Sequence, residues 1–85
     1  MKLRPLVIAS ILAIGLSSPS FAQRLYSTPE QAQRHCPNDV VVWLNIPTHI
    51  YHMPGTRWYG MTKNGAFVCE KAADRAGDRP ALNGQ

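Results

Sequence analysis

Two cysteines, Cys36 and Cys69, and three histidines, His35, His49 and His52, have the chemistry of metal ligands or nucleophiles. The two cysteines stand 33 residues apart, and neither belongs to a Cys-x-x-Cys pair. Structural zinc sites usually bring paired ligands at short spacing, and redox dithiols usually set their cysteines with two residues between them at a helix N-terminus. His49 and His52 are separated by three positions in a stretch that reads as extended, so they point to opposite faces of a strand and do not chelate together there. The remaining reading of Cys36 and Cys69 is a structural disulfide, the usual use of an even cysteine count in a small exported domain. It outweighs the metal alternative, and no cofactor or metal is expected.

A second group has the chemistry of recognition. Arg57, Trp58 and Tyr59 are consecutive, with Lys63 and Arg79 further on. Aromatic rings stack on bases and cations follow phosphates, so this is a candidate polyanion or nucleic-acid surface. Tyr51 and His52 precede it. A catalytic His52 would need a nucleophile or polarised water and an oxyanion donor, and the sequence supplies no second member of such a constellation. The expectation is a non-enzymatic chain with a candidate binding surface of Tyr51, His52, Arg57, Trp58, Tyr59, Lys63 and Arg79.

The N-terminal third bears on where this chemistry operates. Met1-Lys2-Leu3-Arg4 is basic, Leu6 to Leu16 is an uncharged apolar run, and Ser20 and Ala22 provide small residues at the positions a signal peptidase reads. The run is too short for a membrane span, which takes roughly 20 apolar residues. Residues 1–22 are therefore read as a secretory signal peptide, and residues 23–85 as one exported domain, periplasmic or secreted. Gln23 rather than a cysteine follows the expected cut, so no lipid anchor and no stable membrane association are expected after cleavage.

The precursor carries a net charge of +4, but Lys2 and Arg4 leave with the signal. Seven basic residues then face five acidic ones, a net +2 without any Lys/Arg block. That favours solvated cations over a dedicated polyanion surface.

A domain this short is marginal without a staple. Its elements must be built around the cysteines. Thr28-Pro29-Glu30-Gln31 combines an N-cap, an N1 proline and a capping-box partner, predicting a helix from Pro29 to about His35 that stops before Cys36-Pro37. Val40–Asn45 is β-branched, aromatic and apolar on both faces, the pattern of a central strand. Pro47 interrupts, and 49–52 resumes as an antiparallel hairpin partner. Pro54-Gly55 marks a turn, and Asn64-Gly65 carries the signature of a type I′ turn leading into a third strand at 66–69. Glu70–Ala76 reads as a second helix stopped by Gly77. Residues 23–27 are expected to be a frayed lead-in, and the chain from about residue 80 a loose tail. The predicted fold is α+β: a small three-stranded antiparallel sheet flanked by two short helices, with one disulfide. Its predicted core is Val41, Trp43, Leu44, Ile50, Trp58, Phe67, Ala73 and Ala76.

The stretch Tyr51-His52-Met53-Pro54-Gly55-Thr56-Arg57-Trp58-Tyr59-Gly60, followed by Thr62-Lys63-Asn64-Gly65, Cys69-Glu70-Lys71-Ala72-Ala73 and Ala76-Gly77-Asp78-Arg79, resembles a group of small exported bacterial proteins of unassigned function. Their shared core runs Cys-Pro…Tyr-His…Arg-Trp-Tyr-Gly…Thr-Lys…Cys. More distantly it is similar to the zinc-binding module of the Ada DNA-repair protein and to Ada-like modules appended to some secreted nucleases. The likeness spans residues 36–79. Thr56 stands where an Ada-like module places its loop cysteine, and only Cys69 has a counterpart. The resemblance therefore implies a small α+β scaffold with a disulfide in place of metal, without zinc or methyl-acceptor chemistry. Two readings of function follow. The first is an exported interaction or structural module that recognises a protein, cell-wall or other envelope component, or host factor. The alternative is a polyanion- or nucleic-acid-binding module that uses Arg57, Trp58, Tyr59, Lys63 and Arg79.

Overall fold

The structure is a computed structural model and describes residues 23–85. The signal-peptide reading of 1–22 lies outside the described residues. In chain order the elements are α1 (Pro29–His35), β1 (Val41–Asn45), β2 (Ile50–His52), β3 (Gly65–Cys69), α2 (Glu70–Arg75) and β4 (Arg79–Pro80).

Local chemistry accounts for the helices. The Thr28 hydroxyl accepts a hydrogen bond from Gln31 N at 3.2 Å, as an N-cap should. The return half of the capping box is replaced: Gln31 Oε1 takes the Ser27 hydroxyl at 3.1 Å. α2 follows directly on β3 with Cys69 at its N-cap, and Cys69 makes no side-chain cap. A distant residue fills that role, since Lys71 N donates to Asp39 Oδ2 at 2.9 Å. Gly77 ends α2 with a φ of 90°.

The sheet has four strands in the order β3-β1-β2-β4. β1 pairs antiparallel with both β2 and β3, so it is central, as its two-sided apolarity predicts. The predicted three-stranded antiparallel sheet needs correcting, because β4 pairs in parallel with β2 through Ile50–Arg79 and Tyr51–Pro80. Pro80 lacks an N–H, and an edge strand is where a sheet tolerates that. The segment expected to be a loose tail is thus tied in: Arg79 N donates to His49 O and Ala81 N to Tyr51 O, at 2.8 and 2.9 Å. The lead-in is tied at the other edge. Tyr26 and Phe67 exchange both backbone hydrogen bonds at 2.9 Å.

Register sorts the side chains. Val42, Leu44, Tyr51, Ala66 and Val68 share one face, which buries against Ala73 of α2. Trp43, Phe67 and His52 share the other. Val42 and Val68 are the largest fully buried side chains, and neither was among the predicted core residues. Of that predicted core, Trp58 is exposed, and Ile50, Phe67 and Ala76 are only half-buried. A strand buried on both faces gives no alternation, so its two apolar sets cannot be ranked by pattern.

The Asn64-Gly65 expectation also fails, because neither residue has a positive φ. Ile46 N bonds Asn64 O, and Gly65 opens β3 opposite Asn45. Glycine is required here by space: a Cβ at Gly65 would collide with the Trp43 ring and the Leu44 carbonyl.

Cys36 and Cys69 are bonded, with Cα atoms 6.3 Å apart. The bridge ties the C-cap of α1 to the junction of β3 and α2. Among the described residues no helix is long and apolar enough to cross a membrane.

Candidate functional site

The sheet face that carries Trp43, Phe67 and His52 is partly roofed by residues 53–64, a chain of turns. Thr56 secures the first turn, its N–H and hydroxyl both donating to Met53 O at 3.2 and 2.7 Å. Gly60, at φ 72°, passes the edge of Phe67. Tyr59 packs on Phe67 with ring centroids 5.5 Å apart, Phe67 meets Trp43 edge-on at 4.8 Å, and Trp43 Nε1 donates to Thr62 Oγ1 at 2.7 Å. This aromatic cluster fixes the roof to the sheet.

Beside the roof lies an open cavity of about 530 Å³. Asn45, Thr48, Ile50 and His52 line it from β1, β2 and their connection, Trp58 and Thr62 from the roof, and Ala81–Asn83 and Gln85 from the chain beyond β4. His52 is buried, and its Nδ1 lies 2.6 Å from Gln85 O. That oxygen only accepts, so Nδ1 carries a proton. Asn45 Nδ2 donates to Thr48 Oγ1 at 3.0 Å. Trp58 is 37 % exposed, and the Arg57 guanidinium lies 4.8 Å from its ring centroid. Ile46 and Leu82 are further large apolar side chains left exposed.

The sequence-predicted surface is divided by this geometry. His52 and Trp58 line the cavity, with Arg57 stacked on Trp58. Lys63 and Arg79 are exposed but do not line it. Tyr59 is half-buried, turned toward Phe67, and its hydroxyl donates to Val41 O at 3.3 Å. Burial, together with the field of Glu30, pushes its ionisation upward. Tyr51 is on the opposite face, buried, with its hydroxyl 2.7 Å from Asp74 Oδ1 and 3.1 Å from Glu70 Oε2. Burial first, and then these two carboxylates, raise its ionisation well above the usual tyrosine range. Tyr51 and His52 are adjacent on a strand and so cannot act on one ligand.

Sequence reasoning missed Asn45, Thr48, Thr62, Leu82 and Asn83 as lining residues. None has a motif of its own. The one available signal was Leu82, an isolated large apolar residue in a tail otherwise read as loose. It also missed Asp78, a buried carboxylate 2.9 Å from His49 Nδ1 that accepts from Gln23 Nε2 at 2.6 Å. This group ties the lead-in, the start of β2 and the end of α2 together.

Cys36, Asp39 and Cys69 also lie close together. The sulfurs are spent on each other, and both Asp39 oxygens accept backbone N–H groups, from Val40 and Lys71. Comparison with protein-family models, with curated proteins and with solved structures finds no match to this chain.

Proposed function

We propose that the chain is an exported, non-enzymatic interaction module that binds an envelope component through the Trp58 cavity. The buried disulfide supports export, because such bridges persist in oxidising compartments. The observation that carries the binding role is the cavity itself: a concave site of ligand size, an exposed tryptophan on its rim and uncharged hydrogen-bonding groups within it. Those groups suit recognition. His52, the lone titratable side chain lining the cavity, is held by the Gln85 main-chain oxygen, and no Asp, Glu, Ser or Cys side chain lines the cavity with it.

A polyanion-binding role is the second reading. The exposed Arg57 stacked on Trp58 favours it, as an arrangement able to meet a base and a phosphate together. Against it stand the inward turn of Tyr59 and the weak net charge.

The test is sedimentation of residues 23–85 with a purified bacterial cell-envelope fraction. The wild-type domain is expected to sediment, and Trp58→Ala to bind about tenfold more weakly, the loss typical of an aromatic anchor. Binding should persist in raised salt. Equal binding by Trp58→Ala sinks the cavity as the contact site. Binding that collapses with salt supports the polyanion reading.

A further inference from the structure

Resting on that reading, we infer that the Trp58 cavity is a saccharide site, and that its ligand is a short, uncharged stretch of glycan. Three observations point to this class.

The first is charge. None of the cavity's lining side chains is an Asp, Glu, Lys or Arg, and the Gln85 main-chain oxygen is taken by His52 Nδ1 at 2.6 Å. A site for a phosphate, a carboxylate or an ammonium group would place an opposite charge where the ligand loses its water, because an unpaired buried charge is costly. The exposed Arg57 guanidinium lies on the Trp58 ring but does not line the cavity.

The second is the mixture of groups. Asn45, Thr48, His52, Thr62 and Asn83 offer amide, hydroxyl and imidazole groups, and Trp58 offers an exposed aromatic ring. A pyranose needs both kinds of surface. Its axial C–H groups make an apolar patch that stacks on an indole, while its equatorial hydroxyls exchange hydrogen bonds with amides, hydroxyls and an imidazole. Most of the polar groups are already oriented: Asn45 by Thr48, Thr62 by Trp43 and His52 by Gln85 O. Orientation before binding lowers the ordering cost that otherwise consumes affinity.

The third observation separates a glycan from a peptide. Extended peptides are commonly held by adding a strand to a free sheet edge. The cavity floor comes from β1 and β2, and each of these strands is already paired on both sides. The floor presents side chains, so recognition depends on them, as it does for sugars. The volume of about 530 Å³ lies within the range of small-ligand clefts.

The experiment is a two-dimensional NMR titration of the oxidised 23–85 domain with N,N′,N″-triacetylchitotriose and with maltotriose at millimolar concentrations. A sulfated oligosaccharide and an uncharged apolar peptide serve as comparison ligands. The expected result is a saturable shift of the Trp58 indole N–H and of the Asn45 and Asn83 side-chain amides with at least one neutral saccharide. The Trp43 indole, bonded to Thr62, should move less. Trp58→Ala and Asn83→Ala should each weaken binding about tenfold while leaving the remaining spectrum in place. If neither saccharide shifts these signals, or if only the sulfated ligand or the peptide does, the inference is overturned. Envelope sedimentation that depends on Trp58 but survives glycan removal and is lost on protease treatment would overturn it too, while leaving the interaction role standing.

Discussion

Replacement of both Cys36 and Cys69 by serine is expected to leave the 23–85 domain largely unfolded at neutral pH and room temperature. The bridge closes a loop across a sequence separation of 33 residues. In the chain-entropy account, such a closure removes on the order of 3–4 kcal/mol of denatured-state freedom. A domain of this size has a net stability of only about 3–9 kcal/mol. The bridge also anchors what little core exists. Cys69 is buried, and Cys36 and Cys69 hold α1 against the junction from which both β3 and α2 depart. The check is far-ultraviolet circular dichroism and urea unfolding of the double variant, alongside the wild type with and without reductant. Loss of the cooperative transition is the predicted outcome. A double variant with an unchanged urea midpoint would show that packing alone holds the fold.

Gly65→Ala is the second substitution with a large expected effect, out of proportion to a single methyl group. A Cβ at this position would overlap the Trp43 ring and crowd the Leu44 carbonyl. Neither can retreat cheaply. Trp43 is held by Thr62 through Nε1 and by Phe67 through an edge contact, and Leu44 belongs to the central strand. The indole lies over the glycine and shields that part of the sheet, an arrangement used elsewhere to rescue a glycine within a strand. Overpacking of this kind costs about 3 kcal/mol where neighbours are fixed. The midpoint of urea unfolding should fall sharply, with a change in Trp43 fluorescence in the folded baseline. A midpoint within error of the wild type would mean that the ring is free to move.

Both predictions concern places where the sequence is legible to different degrees. Cys36 and Cys69 are legible because two cysteines in one small domain allow one internal pairing. The two helices are legible from their ends, Thr28-Pro29 at one and Gly77 at the other. β1 is legible because nothing but a central strand suits Val-Val-Val-Trp-Leu. Gly65 was misread because Asn-Gly is a strong turn signal in isolation, whereas here the Trp43 ring decides the conformation. β4 was missed because two residues that include a proline carry no periodicity, and their pairing depends on the non-local partner β2. The same absence of local signal hid the cavity. Its floor, roof and far wall come from three separated stretches, so that Asn45, Thr62 and Asn83 line one cavity only because β4 pairs with β2. The sequence admits Trp58 both to the core and to the candidate binding surface, and the structure leaves it exposed. The aromatic demand of that face is already met by Trp43, Tyr59 and Phe67, which leaves Trp58 at the rim.

The most direct test of the central claim is indole modification of the wild-type domain, free and bound to the envelope fraction, with 2-hydroxy-5-nitrobenzyl bromide and peptide mass mapping. The two tryptophans make an internal comparison, since Trp58 is 37 % exposed and Trp43 only 9 %. In the free domain Trp58 should react quickly and Trp43 slowly. On binding, Trp58 should become protected while Trp43 keeps its slow rate. A Trp58 that reacts equally fast in both states would contradict the account and place the contact surface elsewhere on the domain.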